Sequence, residues 1–120
     1  MKVAIIPADS TQPFRFEDME PGLKPLQDAV GGDIELVGIR NASMNMYLNE
    51  DGKPTGLPAN ARATELAHRF HAIRADDYIT GDIVLVGPFD EDGGDTDLTA
   101  EHVALLELFQ ENSPFERESL

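Results

Sequence analysis

The sequence predicts an α+β domain in which about three helices pack on a small mixed β-sheet, in the order β(β)αββαβα. Three observations carry that reading. Two segments, "DIELVGI" and "GDIVLVG", set apolar residues on both faces of a strand, as a strand covered on both sides does. Apolar residues recur at helical spacing after Pro21, after Pro58 and after Thr99. Strands and helices follow no strict β-α-β repetition. At 120 residues, 41% of them hydrophobic and 27% charged, the chain is long enough to bury one core without disulfides or a structural metal. Residues 1–113 are expected to form that single domain and residues 114–120 a frayed tail.

Taken in order, "KVAIIP" is a short apolar run ended by Pro7 and reads as the first strand. The alternation in "PFRFEDM" sets Phe14 and Phe16 on one face of a second strand. In "EPGLKPLQDAVGG", Leu23, Leu26 and Val30 fall at helical spacing, with Pro21 and Pro25 near the start and Gly31-Gly32 as the stop. "DIELVGI" turns Ile34 and Leu36 one way and Val37 and Ile39 the other, which predicts a central strand. In "SMNMYLNEDGKPTG", Met44, Met46 and Leu48 alternate with Asn45, Tyr47 and Asn49, and Asp51-Gly52 predicts a tight turn into a hairpin. "LPANARATELAHRFHAI" is the clearest helix, with Ala59, Ala63, Leu66, Phe70 and Ile73 on its apolar side and Arg62, Glu65 and Arg69 opposite. Ile83 to Val86 form another strand, apolar on both faces. Thr99 is then the expected N-cap of the last helix, with Leu98 and Val103 as the staple across it.

Charge is unevenly placed. The net charge is −14, and through residue 75 there are ten Asp/Glu against eight Lys/Arg, whereas from residue 76 there are thirteen against Arg117 alone. Such a field repels nucleic-acid phosphate and anionic membrane and favours basic proteins or cations. Cysteine is absent, which excludes disulfides, thiolate metal sites and thiol catalysis. The N-terminal apolar run is too short for a signal-peptide core, and none approaches the ~20 residues of a membrane span. The expected protein is soluble and cytoplasmic.

Together, "LQDAVGGDIELV", "YLNEDGKPTGLPANARATELA" and "DYITGDIVLVG" resemble a family of small proteins of bacteria, phages and plasmids described as domain of unknown function 3846. The resemblance spans about Leu23 to Gly87. Its most specific part is Asn49-Glu50 with Gly52, then Leu57-Pro58 and Asn60, and later Gly81-Asp82 before a strand. It implies a mobile-element setting and brings no activity and no catalytic residues.

The stretch "GPFDEDGGDTDLTAEH" invites a calcium reading, because counting from Asp90 sets Asp92 at position 3 and Glu101 at position 12 of an EF-hand loop. The register then fails: Gly94 occupies a ligand position, Asp95 stands where glycine is required, and a strand rather than a helix leads in. Glu65 and His68 have the Glu-x-x-His spacing of di-metal carboxylate helices, but the element occurs once and no four-helix bundle is predicted. His68 is expected to be solvated, and His102, in the arc of Leu105, Leu106 and Phe109, to pack at the core edge. No Gly-x-Ser-x-Gly and no phosphate-binding glycine turn is present. No catalytic residue, metal ligand or cofactor is nominated.

The expected function is therefore that of a non-enzymatic accessory protein of a mobile element. It would bind a basic or DNA-binding protein, and no nucleic acid or membrane directly, through Asp90, Glu91, Asp92, Asp95, Asp97, Glu107 and Glu111. DNA mimicry is the sharper form of that reading, although on the last helix only Glu107 and Glu111 make an i,i+4 carboxylate pair. The alternative is a small-molecule binder or small enzyme with its site at residues 47–62, built from Asn49, Glu50, Asn60 and Arg62 near a turn and a helix start. Asn49 and Asn60 have a competing reading as turn and cap residues. With few helices, one sheet face should need cover, either from "PFRFEDM" and the hairpin after Leu48 or from a second subunit. The charge favours a monomer over a dimer through the N-terminal half.

Overall fold

The computed structural model describes residues 1–112. Five strands, β1 (Lys2–Ile6), β2 (Arg15–Asp18), β3 (Ile34–Ile39), β4 (Met44–Asn49) and β5 (Ile83–Val86), form one sheet in the order β2-β1-β5-β4-β3. Three helices, α1 (Leu23–Val30), α2 (Ala61–Arg69) and α3 (Ala100–Glu111), complete the α+β domain. The predicted frayed tail, 114–120, lies outside the described residues.

Every neighbouring strand pair is antiparallel, so the sheet is not mixed. The cause is the wiring. A parallel pair needs a crossover between neighbours; here α2 links the antiparallel neighbours β4 and β5, and α1 links β2 and β3 at opposite edges. β5 enters between the pairs β1–β2 and β3–β4, and all four of its residues are buried.

β3 is an edge strand, not the predicted central one: it pairs with β4 alone, and only its Ile39 is fully buried. The hairpin also sits elsewhere than expected. A 3-10 turn at Arg40–Ala42, with Ser43 at φ 52°, joins β3 to β4. After β4 no return strand forms. Residues 50–57 instead wind through turns held by Thr55 N–H to Asp51 O and Leu57 N–H to Gly52 O. Gly52 is required there because Thr80 Oγ1 occupies the space a Cβ would fill.

Alternation divides the sheet side chains between two cores. On one face Ala4, Ile6, Met44, Met46, Leu48, Ile83 and Leu85 pack against Ala63, Leu66 and Ala67 of α2 and Leu106 and Phe109 of α3. On the other, Val3, Ile5, Tyr47, Val84 and Val86 pack against Leu26 and Val30 of α1. α1 ends as predicted at Gly31, whose φ of 81° lets its N–H reach Gln27 O. The second face is thus covered by α1, not by "PFRFEDM". Phe14 belongs to the first core, its ring centre 6.3 Å from that of Phe109.

α2 is shorter than its apolar pattern. His71 adopts φ 56°, with His71 N–H to His68 O and Ala72 N–H to Ala67 O. This is a Schellman ending with histidine in the place usually held by glycine. Ala59 lies before the helix, bridged to Thr80, and Ile73 lies beyond it. Arg62, expected on the solvent side, is 1% exposed. Thr99 caps α3 as expected. His102 is not a core-edge packer but the other half of a capping box: its Nδ1 accepts from Thr99 N–H at 3.0 Å while its own N–H donates to Thr99 Oγ1 at 3.2 Å.

Candidate functional site

The acidic stretch between β5 and α3 is a folded loop. Asp90 Oδ1 accepts from Asp92 N–H at 2.9 Å and Gly94 N–H at 2.8 Å, and Gly93 takes φ 80° within the same turn. An aspartate closing a turn on its own following backbone explains the glycines beside it. Gly87 N–H donates to Thr96 O, and the Thr96 hydroxyl to Pro88 O.

Two further acids tie the loop to the sheet. Asp95 accepts from the Tyr47 hydroxyl at 2.6 Å. Burial pushes the Tyr47 phenol well above its ordinary range, and the neighbouring Asp95 carboxylate adds to the shift. Asp97 Oδ1 accepts from Lys2 N–H at 3.0 Å, and Leu98 N–H donates to Lys2 O at 2.9 Å.

Asp90, Asp95 and Asp97 are therefore engaged in holding the loop, although Asp90 and Asp97 are exposed as well, and Glu91 and Asp92 stand exposed at its tip and Glu107 and Glu111 on α3. The structure divides these residues. Asp95 meets Tyr47 on the α1 side, whereas Leu98 turns into the first core and leads α3 onto the opposite side. No lysine or arginine lies between Arg74 and Asn112.

The four residues of the alternative site are also separated. Asn49 Nδ2 donates to Val30 O at 3.2 Å and its Oδ1 accepts from Asp51 N–H at 2.8 Å, fastening α1 to β4. Asn60 caps α2 through Ala63 N–H at 3.0 Å and donates to Ile6 O and Gly81 O at 2.9 Å each. Arg62 donates to Pro7 O at 3.0 Å and Asp9 O at 3.1 Å, with its guanidinium 5.0 Å from the Phe14 ring centre. The Asp9 carboxyl is held below its ordinary range by the Thr11 hydroxyl and N–H, with Arg62 adding to the effect.

Only Asn49 and Glu50 of the four reach a cleft of about 130 Å³, which Glu35, Lys53, Asp77, Tyr78 and Thr80 also line. The Lys53 ammonium pairs with Asp77 and lies 4.6 Å from the Tyr78 ring centre. Asp77 raises the pKa of Lys53, Glu35 adds to that, and Lys53 in turn holds the Asp77 carboxyl below its ordinary range. Sequence reasoning missed Lys53, Asp77 and Tyr78. Lys53 and Asp77 are 24 positions apart, and no local spacing announces their meeting.

His68 is partly buried, not a solvated ring: its Nε2 lies 3.1 Å from Arg74 O and 2.9 Å from Asp77 O. Two carbonyl acceptors place the proton on that nitrogen, so His68 pins the segment that follows α2. Among the described residues no group of three His, Asp or Glu is arranged to hold a metal ion, and no helix is long and apolar enough to cross a membrane.

No curated protein and no solved structure matches the chain. A family described as domain of unknown function (DUF3846) matches residues 1–111. That span is wider than the Leu23 to Gly87 segment that carries the resemblance in the sequence, and it takes in β1, β2, the acidic loop and α3. With all of its described elements inside the match, the chain belongs to the family described as domain of unknown function 3846.

Proposed function

We propose that this protein is a non-enzymatic accessory protein of a phage, plasmid or other mobile element, and that it binds a basic protein partner through the acidic surface of the 88–97 loop and α3. One observation carries the reading. The loop is preorganised by its own hydrogen bonds, yet it leaves Glu91 and Asp92 exposed in a segment without a single lysine or arginine. A fixed acidic surface favours association with cationic proteins and loses less entropy on binding than a mobile one.

The test replaces carboxylates that do not hold the fold: Glu91→Gln, Asp92→Asn, Glu107→Gln and Glu111→Gln together. Partners captured on the wild-type protein are identified, purified and titrated against both forms. Affinity is expected to fall about tenfold, the sum of several exposed charges each contributing a few tenths of a kcal/mol. Unchanged affinity in the folded variant would count against the reading. If the partner is a DNA-binding protein and the surface acts as a DNA mimic, duplex DNA competes for it and added salt weakens both complexes.

A second reading, a small-molecule binder or small enzyme at residues 47–62, draws support from the Glu50–Lys53 cleft. It predicts that a thermal-shift screen of nucleotides, sugars and metal ions yields a stabilising ligand whose effect disappears in Lys53→Met or Glu50→Gln. A complete screen without a stabilising ligand, or a hit indifferent to both changes, removes it.

A further inference from the structure

The two edges of the sheet are built differently. β2 is four residues long, "RFED", carries three charges, and has Pro13 and Pro21 on either side. Shortness, charge and proline are how natural edges are protected against another strand. β3 is six residues long, "IELVGI", with Glu35 as its only charge and no proline or lysine.

The register shows which backbone groups of β3 are free. Glu50 N–H donates to Asp33 O at 2.8 Å, in the ladder that pairs Ile34 with Asn49 and Ile39 with Met44. Hydrogen-bonded pairs alternate along an antiparallel ladder, so Glu35, Val37 and Ile39 bond to β4. The N–H and C=O of Ile34, Leu36 and Gly38 point away from it. These groups stand beside a groove of about 560 Å³ whose walls include Leu36, Gly38, Asn45 and Phe89, with Arg40 among them. Leu36 is 42% exposed and Phe89 44%. The opposite face of the same strand carries Glu35, and Glu50 follows β4 beside it. Asp90, Glu91 and Asp92 follow Phe89 directly.

We infer that β3 accepts an added strand: an extended segment of a basic protein, with apolar and cationic side chains in alternation, pairs with its free edge. Its apolar side chains enter the Leu36–Phe89 groove. Its lysines and arginines turn to the other face, toward Glu35 and Glu50, and beyond the groove toward Asp90–Asp92. Arg40 disfavours a cation on the groove face, which sets the alternation. Charge also selects against a second copy of this chain, since self-pairing would bring together two molecules of net charge −14. Main-chain bonds then supply affinity and the alternate pockets supply specificity. The inference rests on the reading that the acidic surface takes a basic partner, and it names the mode of binding.

The probe is a fluorescein-labelled nonapeptide of alternating lysine and valine, with a glutamate–valine peptide of the same length as control. Two variants block the edge: Gly38→Pro removes an outward N–H without breaking the β3–β4 ladder, and Leu36→Lys sets a charge in the groove. Thermal melts establish that each is folded. The wild-type protein is expected to bind the lysine peptide and not the control, with slowed amide exchange at Leu36 and Gly38 and about tenfold weaker binding in either variant. No binding by the wild-type protein, or equal binding by a folded variant, overturns the inference. So does protection confined to α3, or a wild-type dimer that Gly38→Pro dissociates, which would assign the edge to a second copy. The variant neutralised at Glu91, Asp92, Glu107 and Glu111 separates the two ideas. Lost binding there with normal binding in the edge variants keeps the acidic surface and removes strand addition; the converse keeps strand addition and removes the acidic surface.

Discussion

Asn60→Ala is expected to destabilise the domain by about 4 kcal/mol, a drop of roughly 15 °C in Tm, with little change in the denaturant slope. Asn60 is fully buried and its amide makes three bonds: it accepts from Ala63 N–H at the start of α2 and donates to Ile6 O and Gly81 O. Loss of a cap alone costs about 1 kcal/mol. Each buried carbonyl left without its donor adds about 1–3 kcal/mol. Those carbonyls end β1 and precede β5, so one side chain joins α2 to two neighbouring strands. Asn60→Ser keeps an acceptor for the cap but cannot reach both carbonyls, and it is expected to recover only about 1 kcal/mol. Urea titrations of the three proteins measure the differences. A loss for Asn60→Ala no larger than that of an ordinary cap would show that Ile6 O and Gly81 O find other partners.

Arg62→Met is expected to cost about 3 kcal/mol and to open the connection between β1 and β2 to protease. The methionine replaces much of the aliphatic stem but leaves Pro7 O and Asp9 O without the guanidinium that donates to them, and removes the cation from the face of Phe14. Arg62→Lys keeps the charge and is expected to rescue less than half of the loss: a single nitrogen, Nη2, donates to both carbonyls, but an ammonium lacks the flat guanidinium that lies 5.0 Å from the Phe14 ring centre. Chemical denaturation gives the energies, and limited proteolysis followed by mass spectrometry locates the cleavage. Cleavage elsewhere, or full rescue by lysine, would argue that Arg62 serves through charge alone.

Much of the candidate surface was readable as composition, because an excess of carboxylates survives any folding. Which carboxylates stay available was not. Asp90, Glu91 and Asp92 are equivalent in a list of acids and all three are exposed, yet one oxygen of Asp90 is taken up by two backbone N–H groups two and four residues on. Arg62 was misplaced for a related reason: helical periodicity assigns a charged side chain to solvent, and partners distant in the chain, among them the carbonyls of Pro7 and Asp9 more than fifty positions away, make its burial favourable. The cleft at Glu50 was half visible, since Lys53 lies in the same turn and its partner Asp77 does not.

What the sequence determined by itself is what short-range physics controls. Pro7 ends β1, Gly31 ends α1 in the left-handed conformation, Thr99 caps α3, and the α+β class follows from the succession of elements. Tertiary structure decided the order and direction of the strands. "IELVGI" and "IVLV" present similar apolar patterns, yet one became an edge and the other the centre of the sheet. A strand's side-chain pattern records how apolar its two faces are, whereas its place in the sheet depends on which neighbours satisfy its backbone. That is settled only when β5 pairs with both β1 and β4, which lie far from it in the chain.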